Sequence, residues 1–232
     1  MQKTFLYNAH GSALGGFITR PFNEVIESVA SVSLPVSGGY GSAEVNDYNY
    51  HQLIKFKRAY TQVSGSQAAD GSYNTLISCT IEGLTVADMI TARRIVARIT
   101  TTHPGDESET RVVPTGSEFV DLRIAGEPVT GLDCDPMLTE LDTYEAFKKK
   151  SGLKDSKGMI RCSLARKFGH SRATKKDDQQ AIYIPDFGTI YLGEVYLKTS
   201  LRKITMMRLE LGSPVAGVVA LGGGEGNGNT YP

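Results

Sequence analysis

Apolar and polar residues alternate along most of the chain, and this period of two predicts β-strands. Aromatic and β-branched residues, which suit the pleated and half-buried surface of a sheet, recur in these segments. Glycines and prolines separate the segments, with a strong turn at Gly38-Gly39 and a polar loop around Pro104-Gly105. The predicted strands lie within 25–36, 40–63, 75–81, 119–124, 181–185, 189–198 and 204–211, and Glu82-Gly83 predicts a turn before 84–86.

The segment Met89–Ile99 fits two structures. Met89, Ala92, Val96 and Ile99 would share one helical face behind an Asp88 cap. The same segment is rich in β-branched residues and lies between predicted strands, which favours a strand. We expect a strand here.

One helix is predicted after residue 134. Asp135 can cap it and Pro136 suits its first position, because proline has no N–H to leave unpaired there. Acidic residues come before Lys148 along this segment, an order that complements the helix dipole, and Gly152 can end the helix. The apolar stripe consists of Met137, Leu138, Leu141, Tyr144 and Phe147.

These elements predict one mainly β domain over 1–221, either a sandwich or a jelly roll, with one inserted α-helix. The insert, which is helical and basic, covers 135–176. A parallel β-solenoid is the alternative fold. Residues 222–232 are rich in glycine and predict a flexible tail.

Composition excludes several classes of protein. Hydrophobic residues make up 40% of the 232 residues and charged residues 22%, as in ordinary globular proteins. No apolar run approaches the roughly 20 residues that a membrane-spanning helix needs, so no membrane span is expected. The N-terminal residues have no long apolar stretch, so we expect a cytoplasmic protein or one exported without a signal peptide of the usual kind.

No reactive motif stands out. Cys79, Cys134 and Cys162 are too few and too widely spaced for a disulfide framework or a zinc site, and buried free thiols are expected. The four histidines are also well separated. Asp186-Phe187-Gly188 matches the metal-binding triplet of kinases, but without the other kinase motifs it predicts a turn before a strand. The sequence therefore predicts no catalytic, cofactor-binding or metal-binding residue.

Charge is divided unevenly along the neutral chain. Between residues 148 and 176, eleven basic residues accompany one acidic residue, a local net charge of +10, so the rest of the chain carries −10. This division predicts a basic segment on an acidic body. We take its basic residues as candidate interaction residues: Lys148, Lys149, Lys150, Lys154, Lys157, Arg161, Arg166, Lys167, Arg172, Lys175 and Lys176.

Three interpretations of the basic segment compete. Its lysines can simply keep an exposed loop soluble. They can bind an acidic partner, including the phosphates of a nucleic acid. They can also attract the acidic body of another copy, because a neutral total charge removes long-range repulsion between molecules.

Three segments resemble a known family in their order and spacing. They are Thr80–Val86 running into Ile90–Ala97, then Gly116–Val129, and then Ile184–Glu194. Together they are similar to the bacterial choice-of-anchor P type of β-rich surface protein, over about half of the chain. The chain departs from that family in having no recognisable signal sequence, no sorting tail and an extra basic insert over 135–176. The resemblance implies a non-catalytic bacterial surface or matrix role.

The leading functional hypothesis is therefore a non-enzymatic bacterial protein that assembles with copies of itself into a filament, layer or shell. Charge-complementary contacts and strand edges would hold the copies together. A binding module for an acidic partner or nucleic acid, acting through 148–176, is the first alternative. A hydrolase whose carboxylates are brought together by the fold is the second.

Overall fold

Seventeen β-strands and one α-helix form the part of the chain that the computed structural model describes, residues 4–104, 108–113, 116–132, 142–151, 160–165, 167–176, 179–198 and 201–231. The strands before the helix are β1 (Thr4–Arg20), β2 (Glu24–Val29), β3 (Val32–Ser33), β4 (Gly39–Tyr50), β5 (Ile54–Gln67), β6 (Tyr73–Val86), β7 (Ile90–His103), β8 (Arg111–Val113), β9 (Glu118–Val120), β10 (Arg123–Ile124) and β11 (Glu127–Pro128). The helix is α1 (Tyr144–Ser151). The strands after it are β12 (Ile160–Ser163), β13 (Ala173–Lys176), β14 (Gln179–Ile184), β15 (Gly188–Lys198), β16 (Leu201–Leu211) and β17 (Ala216–Tyr231).

The strands form two antiparallel sheets, which confirms the predicted mainly β sandwich. A nine-stranded sheet has the order β13-β14-β15-β16-β17-β1-β2, with β12 also paired to β15 and β3 to β1. An eight-stranded sheet has the order β11-β10-β7-β6-β5-β4, with β8 and β9 also paired to β7. Every strand pair in the described part of the chain is antiparallel, so the alternative of a parallel solenoid is wrong.

The core lies between the two sheets, where β1 and β17 pack on β6 and β7. Side chains from the inner face of each sheet are fully buried there, among them Leu14, Ile77, Ile99 and Leu221. Because successive side chains of a strand point to opposite faces, the period of two in the sequence places these residues on the inner faces.

The prediction of a flexible glycine-rich tail is wrong. Residues 222–231 belong to β17, which pairs with β16 on one side and with β1 on the other. Gly224, Gly226 and Gly228 are buried and face the other sheet, while Glu225 and Asn227 alternate with them on the outer face. A side chain at 224 would lie 2.6 Å from Ile77 Cγ2, and one at 228 would collide with the Phe5 ring. The glycines therefore allow the two sheets to approach closely.

The described helix covers the last part of the predicted one. Residues 142–143 are not helical, and α1 starts at Tyr144, where Thr143 caps it by accepting a hydrogen bond from Ala146 N. The predicted start at Asp135 and Pro136 lies outside the described residues. The insert as a whole is not helical, because β12 and β13 within it extend the nine-stranded sheet.

Other predicted elements are confirmed or divided. The ambiguous segment 89–99 is a strand over Ile90–His103, as expected. The predicted strand 119–124 is split into β9 and β10, because Asp121 adopts a positive φ of 52°. The Asp186-Phe187-Gly188 triplet forms the turn between β14 and β15, as expected. Gly188 is required there, since its φ is 135° and a side chain would collide with the carbonyl of Glu210.

Candidate functional site at the basic edge of the nine-stranded sheet

The basic segment is spread over the helix and one end of the nine-stranded sheet. Lys148 and Lys149 lie on α1, Arg161 lies on β12, and Lys175 and Lys176 lie on β13. Lys167 and Arg172 lie in the connection between β12 and β13. Three residues of the segment, Lys154, Lys157 and Arg166, and the side chain of Lys150 lie outside the described part of the structure.

The exposed part of this segment is an edge strand. β13 is the last strand in the sheet order, and it pairs with β14 through Ala173↔Ile182 to Lys176↔Gln179. Its other side carries no strand in the described part of the chain. Arg172, Lys175 and Lys176 are all exposed there. We call these three residues the basic edge.

An open groove of about 640 Å³ runs along the basic edge. Tyr183 presents an apolar ring to it, with 54% of the residue exposed. Cations beside an aromatic ring and a proline can bind a ligand in which a negative group lies next to an apolar group. The groove is lined by Arg172, Ala173, Thr174, Lys175, Lys176, Tyr183, Pro185 and Thr189.

Next to the groove, a buried ion-pair network occupies the outer face of the sheet. Glu194 has no exposed side-chain surface and binds two arginines. Arg208 donates from Nε to Glu194 Oε2 at 2.6 Å and from Nη2 to Oε1 at 3.0 Å. Arg161 donates from Nη2 to Glu194 Oε1 at 2.6 Å. Arg161, which the sequence suggests as an interaction residue, thus serves an internal contact.

The network extends to the basic edge through Glu210. This carboxylate accepts hydrogen bonds from Arg208 at 2.5 Å, Lys176 at 3.1 Å and the hydroxyl of Tyr191 at 3.2 Å. The guanidinium of Arg208 also lies 3.9 Å from the centroid of the Tyr191 ring.

Hydrogen bonds in this network shift the pKa values of Glu210 and Arg208 toward their charged forms. Burial alone would raise the pKa of Glu210, but hydrogen bonds from Arg208 and Lys176 outweigh it and lower that pKa. Burial alone would likewise lower the pKa of Arg208, but its bonds to Glu194 and Glu210 raise that pKa above its ordinary value. The cations beside Glu210 therefore favour its ionised form.

Internal pairing removes part of the segment's positive charge. Besides Arg161, Lys176 contacts Glu210 and Lys148 contacts Glu145, at 3.8 Å in the last case. The charge division read from the sequence is therefore smaller in the folded chain than +10 against −10. Several basic side chains of the segment are nevertheless exposed: Lys149, Lys167, Arg172 and Lys175.

A second polar cluster links α1 to the sheets. Glu109 accepts hydrogen bonds from the backbone N–H groups of Tyr144 at 2.7 Å and Glu145 at 3.3 Å, at the positive end of the helix dipole. Arg202 is 1% exposed, with its Nη2 at 3.9 Å from Glu109 Oε1. Sequence reasoning missed this cluster, because its members are far apart in the chain.

His103 lies beside the same cluster. Burial lowers the pKa of His103 to about 4, and the nearby charge of Arg202 acts in the same direction. Its Nδ1 lies 2.8 Å from the hydroxyl of Thr110. His103 is therefore neutral near pH 7 and holds a structural position under the Phe5 ring, whose centroid is 4.9 Å away.

The structure describes two of the three cysteines and the side chains that could bind a metal ion. Cys79 and Cys162 are free and buried, as expected, while Cys134 lies outside the described residues. Among the residues with described positions, no three His, Cys, Asp or Glu side chains are grouped so that they could hold a metal ion. Within the same part of the chain, α1 is too short to cross a membrane.

The protein is a two-sheet β-sandwich in which β13, at one end of the nine-stranded sheet, carries basic residues. A family profile described as Domain of unknown function (DUF8256) matches residues 5–136 and 141–198. The chain belongs to this family. No curated protein and no solved structure shows a significant match.

Proposed function

We propose that the protein is non-enzymatic and assembles with copies of itself into a larger bacterial structure. The observation that carries this proposal is the basic edge. It combines exposed cations with a strand edge that has no partner strand in the described chain, and the residues outside 148–176 carry a net charge of −10. Unpaired backbone groups of an edge strand are a template for pairing with another chain.

Two further features support self-assembly rather than the interpretation in which the lysines only keep an exposed loop soluble. The chain is neutral overall, so identical molecules do not repel each other at long range. Five of the basic residues, Lys148, Lys149, Arg161, Lys175 and Lys176, also lie on α1, β12 or β13, so binding at these positions does not require ordering a loop. The resemblance to bacterial choice-of-anchor P surface proteins stays a prediction and agrees with a non-catalytic role.

Salt dependence tests this proposal. Purified protein at micromolar concentration is examined by light scattering and negative-stain microscopy in about 20 mM and about 1 M NaCl. We expect large particles at low salt that shrink or dissociate at high salt, since the screening length falls to about 3 Å at 1 M. A monomer under both conditions would refute self-assembly.

The groove favours a second candidate function, which is binding of an acidic partner. Its exposed cations and the Tyr183 ring suit a chain that carries negative groups beside apolar ones. Nucleic acid is one such partner, and its binding weakens steeply as salt rises, because each neutralised phosphate releases counterions.

A gel-shift titration tests this candidate with single-stranded and double-stranded DNA and with RNA. A shift at low salt that is lost in the Lys175→Glu variant, but not in Lys149→Glu, would place binding at the groove. No shift with any of these nucleic acids at about 20 mM salt would dismiss nucleic acid as the partner. A fluorescent polyglutamate peptide, followed by anisotropy, tests an acidic protein in the same way.

A further inference from the structure

The nine-stranded sheet ends in two strands of opposite charge. At one end is β13, with the basic edge. At the other end is β2, which carries Glu24 and Glu27 and no basic residue. Both glutamates are exposed. We call these two residues the acidic edge.

The acidic edge also carries an exposed apolar side chain. Val25 lies between the two glutamates and is 67% exposed, the largest fraction among the exposed large hydrophobic residues described. It pairs with Phe17 on β1, which is 38% exposed and pairs in turn with Val218 on β17. An apolar residue flanked by acids is the chemical complement of the groove, where Tyr183 and Pro185 lie beside cations.

Charge restricts how two such edges can meet. Two copies of β13 would bring lysines against lysines, and two copies of β2 would bring glutamates against glutamates. Like charges placed opposite each other across strands are destabilising, and charged residues on edge strands are a common protection against pairing of like edges. Pairing of β13 with β2 is the one combination of these two edges that places opposite charges together.

We propose that β13 of one copy adds to β2 of the next copy, so that the nine-stranded sheet continues from molecule to molecule. This inference rests on the proposed self-assembly and names its interface. Backbone hydrogen bonds would join the two edges, and Val25 would enter the groove beside Tyr183. The contact is head to tail and leaves a free edge at each end of the assembly, so it builds an open filament or a ring.

One substitution on each edge reverses the charge of one exposed side chain. Arg172→Glu acts on the basic edge and Glu27→Lys acts on the acidic edge. Lys176 and Glu24 are left unchanged, because Lys176 bonds to Glu210 and Glu24 bonds to Tyr50 and His51, and their loss would disturb the fold. Lys149→Glu on α1 is the matched control, since it makes the same change in net charge on an exposed lysine away from both edges.

Sedimentation velocity over a concentration series measures assembly at low salt. We expect Arg172→Glu and Glu27→Lys each to raise the protein concentration at half-assembly by about tenfold, because one attractive contact between opposite charges becomes repulsive. We expect Lys149→Glu to stay within about twofold of the unchanged protein. Circular dichroism and the thermal midpoint check that each variant is folded.

Mixing provides the decisive measurement. The new glutamate on the basic edge is complementary to the new lysine on the acidic edge, so an equimolar mixture of Arg172→Glu and Glu27→Lys should assemble at concentrations where neither does alone. The chain that carries both substitutions should assemble by itself again. Assembly of the single variants like the unchanged protein, or no gain on mixing, would overturn the edge pairing and leave self-assembly intact. Absence of assembly by the unchanged protein would overturn both.

Discussion

Replacing Gly224 by alanine is a sharp test of how β17 packs in the sandwich. The new Cβ would lie 2.6 Å from Ile77 Cγ2, whereas carbon atoms in contact normally lie about 3.5–4.0 Å apart. The Ile77 methyl group would therefore have to move by about 1 Å. Ile77 has little space for this, because it is 2% exposed and also lies within 3.0 Å of the Cβ positions of Gly11 and Gly226.

The expected cost follows from this crowding. Extra atoms forced into a closely packed core destabilise by about 1–3 kcal/mol, and we expect about 2 kcal/mol for Gly224→Ala. With a urea m-value of about 3 kcal/mol/M, the unfolding midpoint should fall by about 0.7 M. The thermal midpoint should fall by about 4–8 °C. The m-value itself should not change.

Gly15→Ala on the neighbouring strand β1 is the control. The nearest atom to its new Cβ is Ser28 Oγ at 3.6 Å, an ordinary contact, and neither Gly15 nor Gly224 has a positive φ. We expect a change within about 0.5 kcal/mol, or a slight gain from the stiffer unfolded chain. Equal stabilities of the two variants would refute the close packing of β17 on β6.

A double-mutant cycle identifies the responsible atom. Ile77→Leu removes the Cγ2 methyl group that Gly224→Ala would meet, while it keeps the side-chain volume. If that contact causes the loss, the combined variant should be more stable than the sum of the two single changes predicts, by about 1 kcal/mol. Additive losses would place the strain elsewhere.

Three further predictions concern buried groups. Glu194→Gln should lower the free energy of unfolding in urea by about 3 kcal/mol, because it leaves the guanidinium of Arg208 without its buried carboxylate. Glu210→Gln, at the partly exposed end of the network, should lower it by less than about 1 kcal/mol. His103 has a folded pKa near 4 against 6.5 when unfolded, so its stabilising effect is complete above pH 6.5 and is lost as pH falls toward 4. Between pH 7 and pH 5 the free energy of unfolding should fall by about 2 kcal/mol through His103. Burial raises the pKa of Cys79 to about 11, so in a Cys134→Ser variant this thiol should react with Ellman's reagent at pH 8 only after unfolding.

Each of these has a result that would contradict it. Equal losses from Glu194→Gln and Glu210→Gln would mean that burial does not strengthen the network. His103→Gln should flatten the stability profile between pH 7 and pH 5, and an unchanged slope would assign that slope to another group. Fast reaction of a thiol in the folded Cys134→Ser variant would show that Cys79 or Cys162 is accessible.

The period of two in the sequence was sufficient for the fold class and for many of the strands. It indicated which residues share a face of the sheet, as in 75–81, because a strand places successive side chains on opposite faces regardless of its partners. It also favoured a strand over a helix at 89–99, where β-branched residues outweighed a helical spacing. These are local properties, and each can be judged from one segment alone.

The glycine-rich C-terminal strand could not be recognised in this way. Glycines have no side chain from which to read an alternation, and in isolation such a segment predicts flexibility. Gly224 and Gly228 become meaningful only when β6 and β1 bring Ile77 and Phe5 against them. The reason for glycine at these positions is contact with distant parts of the chain, across the sandwich for Gly224 and across neighbouring strands for Gly228, which no local pattern contains.

The sequence by itself determined that the chain is β-rich, neutral and unevenly charged along its length. Only the tertiary structure decided which of those charges face outward. Arg161 meets Glu194 across 33 residues and is cancelled inside the molecule, while Lys175 stays on an edge at the opposite end of the sheet from Glu27. Pairing between distant strands sets these distances, and a charge acts on a partner according to distance and burial rather than position in the chain.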